Sequence, residues 1–304
     1  MSVSSATICC VTDIVRGSEA LSTGALTRGV LRSRYRRLFP DVYMPATTAP
    51  TLMDRIHAAS IWSRGQGVIA GRAAAALHGA RWIGDDVPIE MIRRFPRPPH
   101  GIIVRNESIE PDEISSVDGV QVTTPQRTAF DLARHHPRVE AVICLDDLAR
   151  ATGVEIDEVQ ALADRYPSAR LLEHARDTVN LMDGGARTPA VTRVRLILRK
   201  HWPMVPRAGV RVGSAAWGFV DLGYEDLKIA IDVKDMDGVD LFVKLPYGSE
   251  YRPEITHKIR YSKEFGWILV VLHRQSTFGE VLGRVGLALD QQGYGRRRGG
   301  TQRN

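Results

Sequence analysis

The chain is poor in the features that most often announce a site. Its three cysteines, Cys9, Cys10 and Cys144, form one adjacent pair and a single, with no C-x-x-C spacing. That pattern excludes a disulfide framework, gives no zinc site and fits a reducing cytoplasm. No apolar run approaches the roughly 18–20 residues that span a bilayer. The opening stretch "MSVSSATICCVTDIV" has no basic head and is interrupted by Asp13. A soluble, unexported, cytoplasmic protein with no membrane partner is therefore expected. No glycine-rich phosphate loop, dinucleotide fingerprint or nucleophile elbow is present, because "GYGRRRGG" neither follows a strand pattern nor opens a helix. The histidines His135, His136, His201, His257 and His273 show no ligand spacing, and there is no internal repeat.

What is present is length, apolar content and positive charge. With 304 residues, 43% of them hydrophobic, the chain can build more than one core. Lysine and arginine total 41 against 35 acids, a formal charge of +6, which tilts toward an acidic partner such as nucleic acid. Part of the excess lies in the tail, where Arg296, Arg297 and Arg298 read as a solvated basic end.

The arginines concentrate early. "GSEALSTGALTRGVLRSR" predicts two short helices, the second with Leu26, Val30 and Leu31 at helical spacing. "YRRLFPDVYMP" alternates around a Pro-Asp turn and predicts a hairpin. Arg28, Arg32, Arg34, Arg36 and Arg37 fall on this helix and hairpin. Planar guanidinium donors on a helix followed by a β-wing suit phosphate contact, the alternative being a merely solvated face.

From 51 to 150 the pattern mixes helix and strand. An amphipathic helix begins at Leu52, and "GVIAGRAAAALHGARW" runs from a short strand into an alanine-rich helix. "VPIEMIRR", "GIIVRNESI" and "GVQVTTPQ" have strand character, while "PDEISSVDG" reads as a connector. Thr124 and Pro125 give a strong helix start, within which Arg127 is expected to pair with Asp131 at i+4. His78 is assigned a packing or capping role. Asp146 and Asp147, adjacent on a helix, point about 100° apart and cannot easily share one ion. After about residue 153 the chain predicts helices at 156–165, 169–181 and 188–200, then strands, a helix at 254–265, the strand "WILVVLH" and a closing helix at 277–291.

The chemistry is concentrated in "VDLGYEDLKIAIDVKD", residues 220–235. A two-residue hairpin loop at Asp226-Leu227 would pair Glu225 with Lys228, Tyr224 with Ile229, and Asp221 with Asp232. Lys234 would then share a face with Asp232. Opposed carboxylates with Cβ atoms roughly 4.5–5.5 Å apart repel unless a cation lies between them, and Mg²⁺ needs only one or two protein carboxylates. An ammonium beside such an ion can assist water attack on a phosphodiester. A solvated pair of strand-edge acids is the bland alternative.

With those residues in view, "GGARTPAVTRVRLILRKHW", "VDLGYEDLKIAIDVKD" and "HKIRYSKEFGWILVVLHR" resemble the very-short-patch-repair-like endonuclease domain, a branch of the PD-(D/E)xK restriction-endonuclease-like fold, over about 184–292. The resemblance implies Mg²⁺- or Mn²⁺-dependent DNA cleavage carried by Asp221, Asp232 and Lys234, with Asp221 and Asp232 as metal ligands. Two positions depart from the family: Val191 stands where a glutamate is common, and "DVKDMDGVD" offers Asp235, Asp237 and Asp240 in place of a histidine. His257, Lys258, Arg260 and Lys263 are expected to form either a basic helix face near the acids, with Lys258 and Arg260 as DNA contacts, or a plain surface helix.

The N-terminal half is similar to AbiEi-type antitoxins. The similarity rests on "ALSTGALTRGVLRSRYRRLFPDVYMP", "GVIAGRAAAALHGARW" and "GVQVTTPQRTAFDLAR", within about 12–150. It implies a DNA-binding winged helix and a cognate toxin partner in a toxin–antitoxin or phage-defence setting. The expected architecture is α/β (α+β overall). It comprises a winged helix at 1–48, a small α/β module at 49–153, a nuclease-like domain with a central mixed sheet at 154–292 and a basic tail at 293–304. Two functions stand side by side: a DNA-binding metal-dependent endonuclease, and a non-catalytic DNA-binding antitoxin or regulator on a degenerate nuclease fold.

Overall fold

The computed structural model describes residues 14–93, 97–212, 219–234 and 266–294. It is a mixed α/β protein built on three sheets. The first joins β1 (Val15–Arg16), β2 (Tyr35–Phe39) and β3 (Val42–Pro45), all antiparallel, in the order β1-β3-β2. Between β1 and β2 run α1 (Gly17–Ser22) and α2 (Arg28–Arg34). Phe39 and Val42 turn inward from the hairpin and share a core with α3 (Leu52–Trp62) and the second sheet. Helix α3 starts on a Thr51–Asp54 capping box, which satisfies two otherwise orphaned amides.

The second sheet has the order β6-β5-β4-β8-β7, with β4 (Val68–Ala70), β5 (Ile89–Ile92), β6 (Ile102–Arg105), β7 (Ile114–Val117) and β8 (Val120–Thr123). Strand β7 is a correction to the sequence reading, which made "PDEISSVDG" a connector. Asp118 and Gly119 take φ of 49° and 76°, the left-handed pair of a tight hairpin turn, and Val117 pairs with Val120 across it. Helices α4 (Gly71–Leu77), α5 (Pro125–His135), α6 (Arg138–Thr152), α7 (Ile156–Asp164) and α8 (Leu172–Val179) follow. Their inward residues, from Ala75 through Phe130, Leu145, Val159 and Val179 to Met182, form one core. The expected boundary near 153 therefore cuts through a packed unit: α7 and α8 pack with α5 and α6, and the next core begins only at Ala186.

That third core lies on one face of a four-stranded mixed sheet of order β12-β11-β10-β9, from β9 (Arg207–Arg211), β10 (Phe219–Tyr224), β11 (Ile229–Lys234) and β12 (Ile268–His273). Strands β9, β10 and β11 are antiparallel neighbours, and β12 runs parallel to β11. Helices α9 (Pro189–His201) and α10 (Phe278–Gln291) bury Val191, Val194, Leu198, Val281 and Val285 against Leu222, Ile229, Ile231 and Val233. The expected helix at 254–265, with Lys258 and Arg260, lies outside the described residues, as do Asp235, Asp237, Asp240 and the basic tail from residue 295 on.

Candidate functional site

Helix α2 begins at Thr27, whose hydroxyl accepts the Val30 amide at 3.3 Å, and buries only Leu31 among its own residues. Arg28, Arg32 and Arg34 are left exposed, and on β2 Arg37 is exposed as well. None of these four pairs with an acid among the described residues. Arg36 differs: it is half-buried and donates to the Ala46 carbonyl at 2.9 Å, a structural use of its guanidinium. Arg32 and Arg34 sit in the last turn, where the helix dipole favours cations, so part of their placement is explained by the helix itself. The hairpin does not swing freely beside them. Its Pro40-Asp41 turn places Asp41 at φ 60°, the Gly17 amide donates to the Asp41 carbonyl, and the Ser18 amide donates to the Asp41 carboxylate, each at 2.8 Å. A Cβ on Gly17 would lie 2.6 Å from the Tyr43 ring, so only glycine lets α1 approach the hairpin this closely.

The acid-bearing strands keep the expected register, Tyr224 opposite Ile229, through Leu222 opposite Ile231. The turn between them is a single 3₁₀ turn, Glu225–Leu227, followed by Lys228 at φ 51°, where a two-residue loop was expected. One residue beyond the last ladder pair, Asp221 Oδ2 accepts the Val233 amide at 2.7 Å, tying its carboxylate to the neighbouring strand. Asp232 is 3% exposed, and its Oδ2 receives Lys234 Nζ at 2.9 Å. By strand alternation Asp232 and Lys234 share the face of Ala230, opposite the α9–α10 core. Val191 is fully buried in that core, so the first turn of α9 brings no carboxylate to the pair. β12 adds a residue that linear spacing misses: His273 stands opposite Lys234, with neither ring nitrogen hydrogen-bonded among the described residues.

A second polar cluster sits in the middle unit and was only partly visible in sequence. Arg127 is 1% exposed. Its Nε reaches both Asp131 oxygens at 3.1 Å, and its Nη1 reaches Glu113 at 2.6 Å, the Ser108 carbonyl at 3.0 Å and the Tyr166 hydroxyl at 3.3 Å. Arg134 grips both oxygens of Glu107 at 2.9 Å, and His135 Nε2 lies 2.9 Å from the same carboxylate. Burial works to raise the Glu107 pKa, but His135 and Arg134 outweigh it and hold the group at about 2. Burial raises Asp131, opposed by Arg127.

Ligand atoms of Glu107, Asp131 and His135 all lie within 4.8 Å of one another, the one such group of three among the described residues. Two guanidiniums already fill the cation's place there, so the cluster is an internal ionic lock. The structure thus gives Arg127 the structural role expected from its i+4 spacing, with a wider set of partners.

Other singled-out residues are also structural. His78 Nε2 contacts the Thr123 carbonyl at 2.6 Å. Asp147 receives the Trp82 amide at 2.7 Å, while Asp146 turns to α9, receiving Thr192 Oγ1 at 2.7 Å and Arg195 Nη2 at 2.8 Å. Their divergence is the one expected for neighbours on a helix.

Comparison with known proteins gives a family match for part of the chain: residues 67–177 fit the model described as the AbiEi antitoxin C-terminal domain. The matched span includes α7 and most of α8, in line with their packing into the middle core. No curated protein matches the chain. Among solved structures, the crystal structure of the RV2827C protein from Mycobacterium tuberculosis is similar at 14% identity and a TM-score of 0.38. The alignment covers 66% of this chain and 83% of that one.

Proposed function

We propose that the chain is a DNA-binding protein of the antitoxin kind, in a toxin–antitoxin or phage-defence setting, whose C-terminal sheet carries a metal-dependent phosphodiester-hydrolysing site. The observation that carries the DNA-binding half is the group of exposed arginines on α2 and β2, Arg28, Arg32, Arg34 and Arg37, none of which pairs with an acid among the described residues. Such a face attracts phosphate by charge and engages it through planar donors. The match of residues 67–177 to an antitoxin domain supports the setting and a toxin as protein partner.

The hydrolytic half rests on Asp221, Asp232 and Lys234. Their donor chemistry fits Mg²⁺ or Mn²⁺, which take hard carboxylate oxygens and complete their shells with water and phosphate. Asp221 and Asp232 would hold the ion, which when bound polarises the phosphodiester and acidifies a water. Lys234 compensates the buried Asp232 charge and offers an ammonium to the anionic phosphate. The four-stranded mixed sheet, with α9 and α10 packed on one face, is compatible with a nuclease-like domain. A second reading, DNA binding without catalysis, is favoured by buried Val191, since it removes one acid from the usual set.

The test is incubation of the purified protein, beside Asp232→Ala, with supercoiled plasmid and duplex oligonucleotide, with and without Mg²⁺ or Mn²⁺. Binding by both proteins and metal-dependent nicking by the wild type alone is expected. Binding with no nicking under either metal leaves the non-catalytic reading, and absence of binding overturns both.

A further inference from the structure

At the opening of β10, Phe219 is 42% exposed, unusual company for an aromatic at a sheet end. A singly exposed aromatic would need no explanation. This one is covered by two cations: the Arg187 guanidinium carbon stands 4.9 Å from its ring centroid and that of Arg211 stands 5.2 Å away. Arg211 is the direct cross-strand partner of Phe219, and Arg187 arrives from the segment leading into α9. Both arginines are exposed, and neither pairs with an acid among the described residues. Two like charges over one ring repel each other. The electron-rich ring face offsets part of that repulsion, and an anion between or beside them offsets the remainder. Phe219 lies two residues before Asp221 on the same strand, roughly 6–7 Å along it.

We propose that Arg187, Phe219 and Arg211 form a clamp for the phosphodiester backbone of a nucleic-acid strand. It deepens the nucleic-acid-binding reading above, and its affinity for nucleic acid does not depend on the hydrolytic one. The ring orients the guanidiniums, so that their N–H edges point away from the stacked faces toward a phosphate.

The test uses the full chain without divalent metal, so that cleavage plays no part. Binding to a labelled duplex oligonucleotide and to its single strand is followed by fluorescence anisotropy from roughly 50 to 200 mM salt. The starting protein carries Arg28→Gln and Arg32→Gln to reduce the N-terminal contribution. Adding Arg187→Gln and Arg211→Gln is expected to weaken binding roughly tenfold and to flatten the slope of log affinity against log salt by about two. Phe219→Leu, which keeps both charges, should weaken binding severalfold with little change in slope. A larger loss for the single strand than for the duplex would assign the clamp to unpaired nucleic acid, and equal losses to the backbone of either form. Unchanged affinity and slope in the added double variant, with its circular dichroism intact, would overturn the proposal. Loss of binding in these variants together with no nicking by the wild type would leave the clamp standing and remove the hydrolytic reading alone.

Discussion

Replacing Arg127 by methionine keeps most of the stem volume and deletes the guanidinium. Two carboxylates, Asp131 and Glu113, each 1% exposed, then lose their nearest cation, keeping only Arg134 at 3.9 Å and Arg165 at 3.3 Å, and the Ser108 carbonyl loses its donor. Breaking a buried ion pair from one side costs about 3–5 kcal/mol, because the remaining charge stays desolvated. Arg134 and Arg165 still offset part of the charge, so the lower part of that range is expected, lowering the melting temperature of the unit by on the order of 10 °C.

The loss should depend on pH in a definite direction. Burial already raises the folded-state pKa of Asp131, and without Arg127 it rises further above its unfolded value, so the folded state binds more protons than the unfolded one. Stability of the variant then falls as pH rises through that window, and its deficit against wild type is smaller at pH 5 than at pH 7. Urea unfolding followed by circular dichroism at the two pH values measures both quantities. Arg127→Met combined with Asp131→Leu should recover part of the loss, since an apolar pair of similar volume no longer buries that charge. A deficit below about 1 kcal/mol at pH 7, or one that grows toward acid, would refute the ionic-lock argument.

Two further outcomes follow from the same physics. Burial pushes the Asp146 carboxyl up to about 6 despite Arg195, the Asp183 amide and Thr192. An acid raised in the folded state costs stability as pH rises from its unfolded value of 3.8 through about 6. At about 1.4 kcal/mol per pKa unit this is on the order of 3 kcal/mol, a pH dependence that Asp146→Asn should remove in parallel urea titrations. Gly71→Ala should destabilise the middle unit by about 2–4 kcal/mol: the residue sits at φ +57°, and its Cβ would lie 2.4 Å from the buried Glu90 Oε1. Calorimetry showing an unchanged melting temperature would contradict that assignment.

Most of the helices and strands were legible in sequence because local signals and burial agree. Thr124-Pro125 opens α5 where the cap chemistry says it should, and "IAIDVK" is a strand flanked by partners that bury its apolar side. The misses have particular causes. The run "ISSV" carries too few large apolar residues to register as a strand, although Val117-Asp118-Gly119-Val120 is a strong hairpin signal. The boundary at 153 rested on a change in element order. Gly153 is only the left-handed end of α6, and nothing local says which core the apolar faces of α7 and α8 will join.

The candidate site divides in the same way. The Tyr224–Ile229 register followed from counting around the turn. The partners of Arg127, by contrast, come from Glu107, Ser108, Glu113 and Tyr166, which chain folding alone brings together. His273 and the Phe219 cluster were hidden for the same reason, since strand neighbours far apart in the chain have no fixed spacing.

The most direct test of DNA recognition by the basic helix is the salt dependence of duplex binding, wild type against Arg28→Gln/Arg32→Gln. Weaker binding by the variant is expected at every salt concentration, with a slope of log affinity against log salt shallower by about two, one for each lost phosphate contact. Superimposable curves for the two proteins would contradict it.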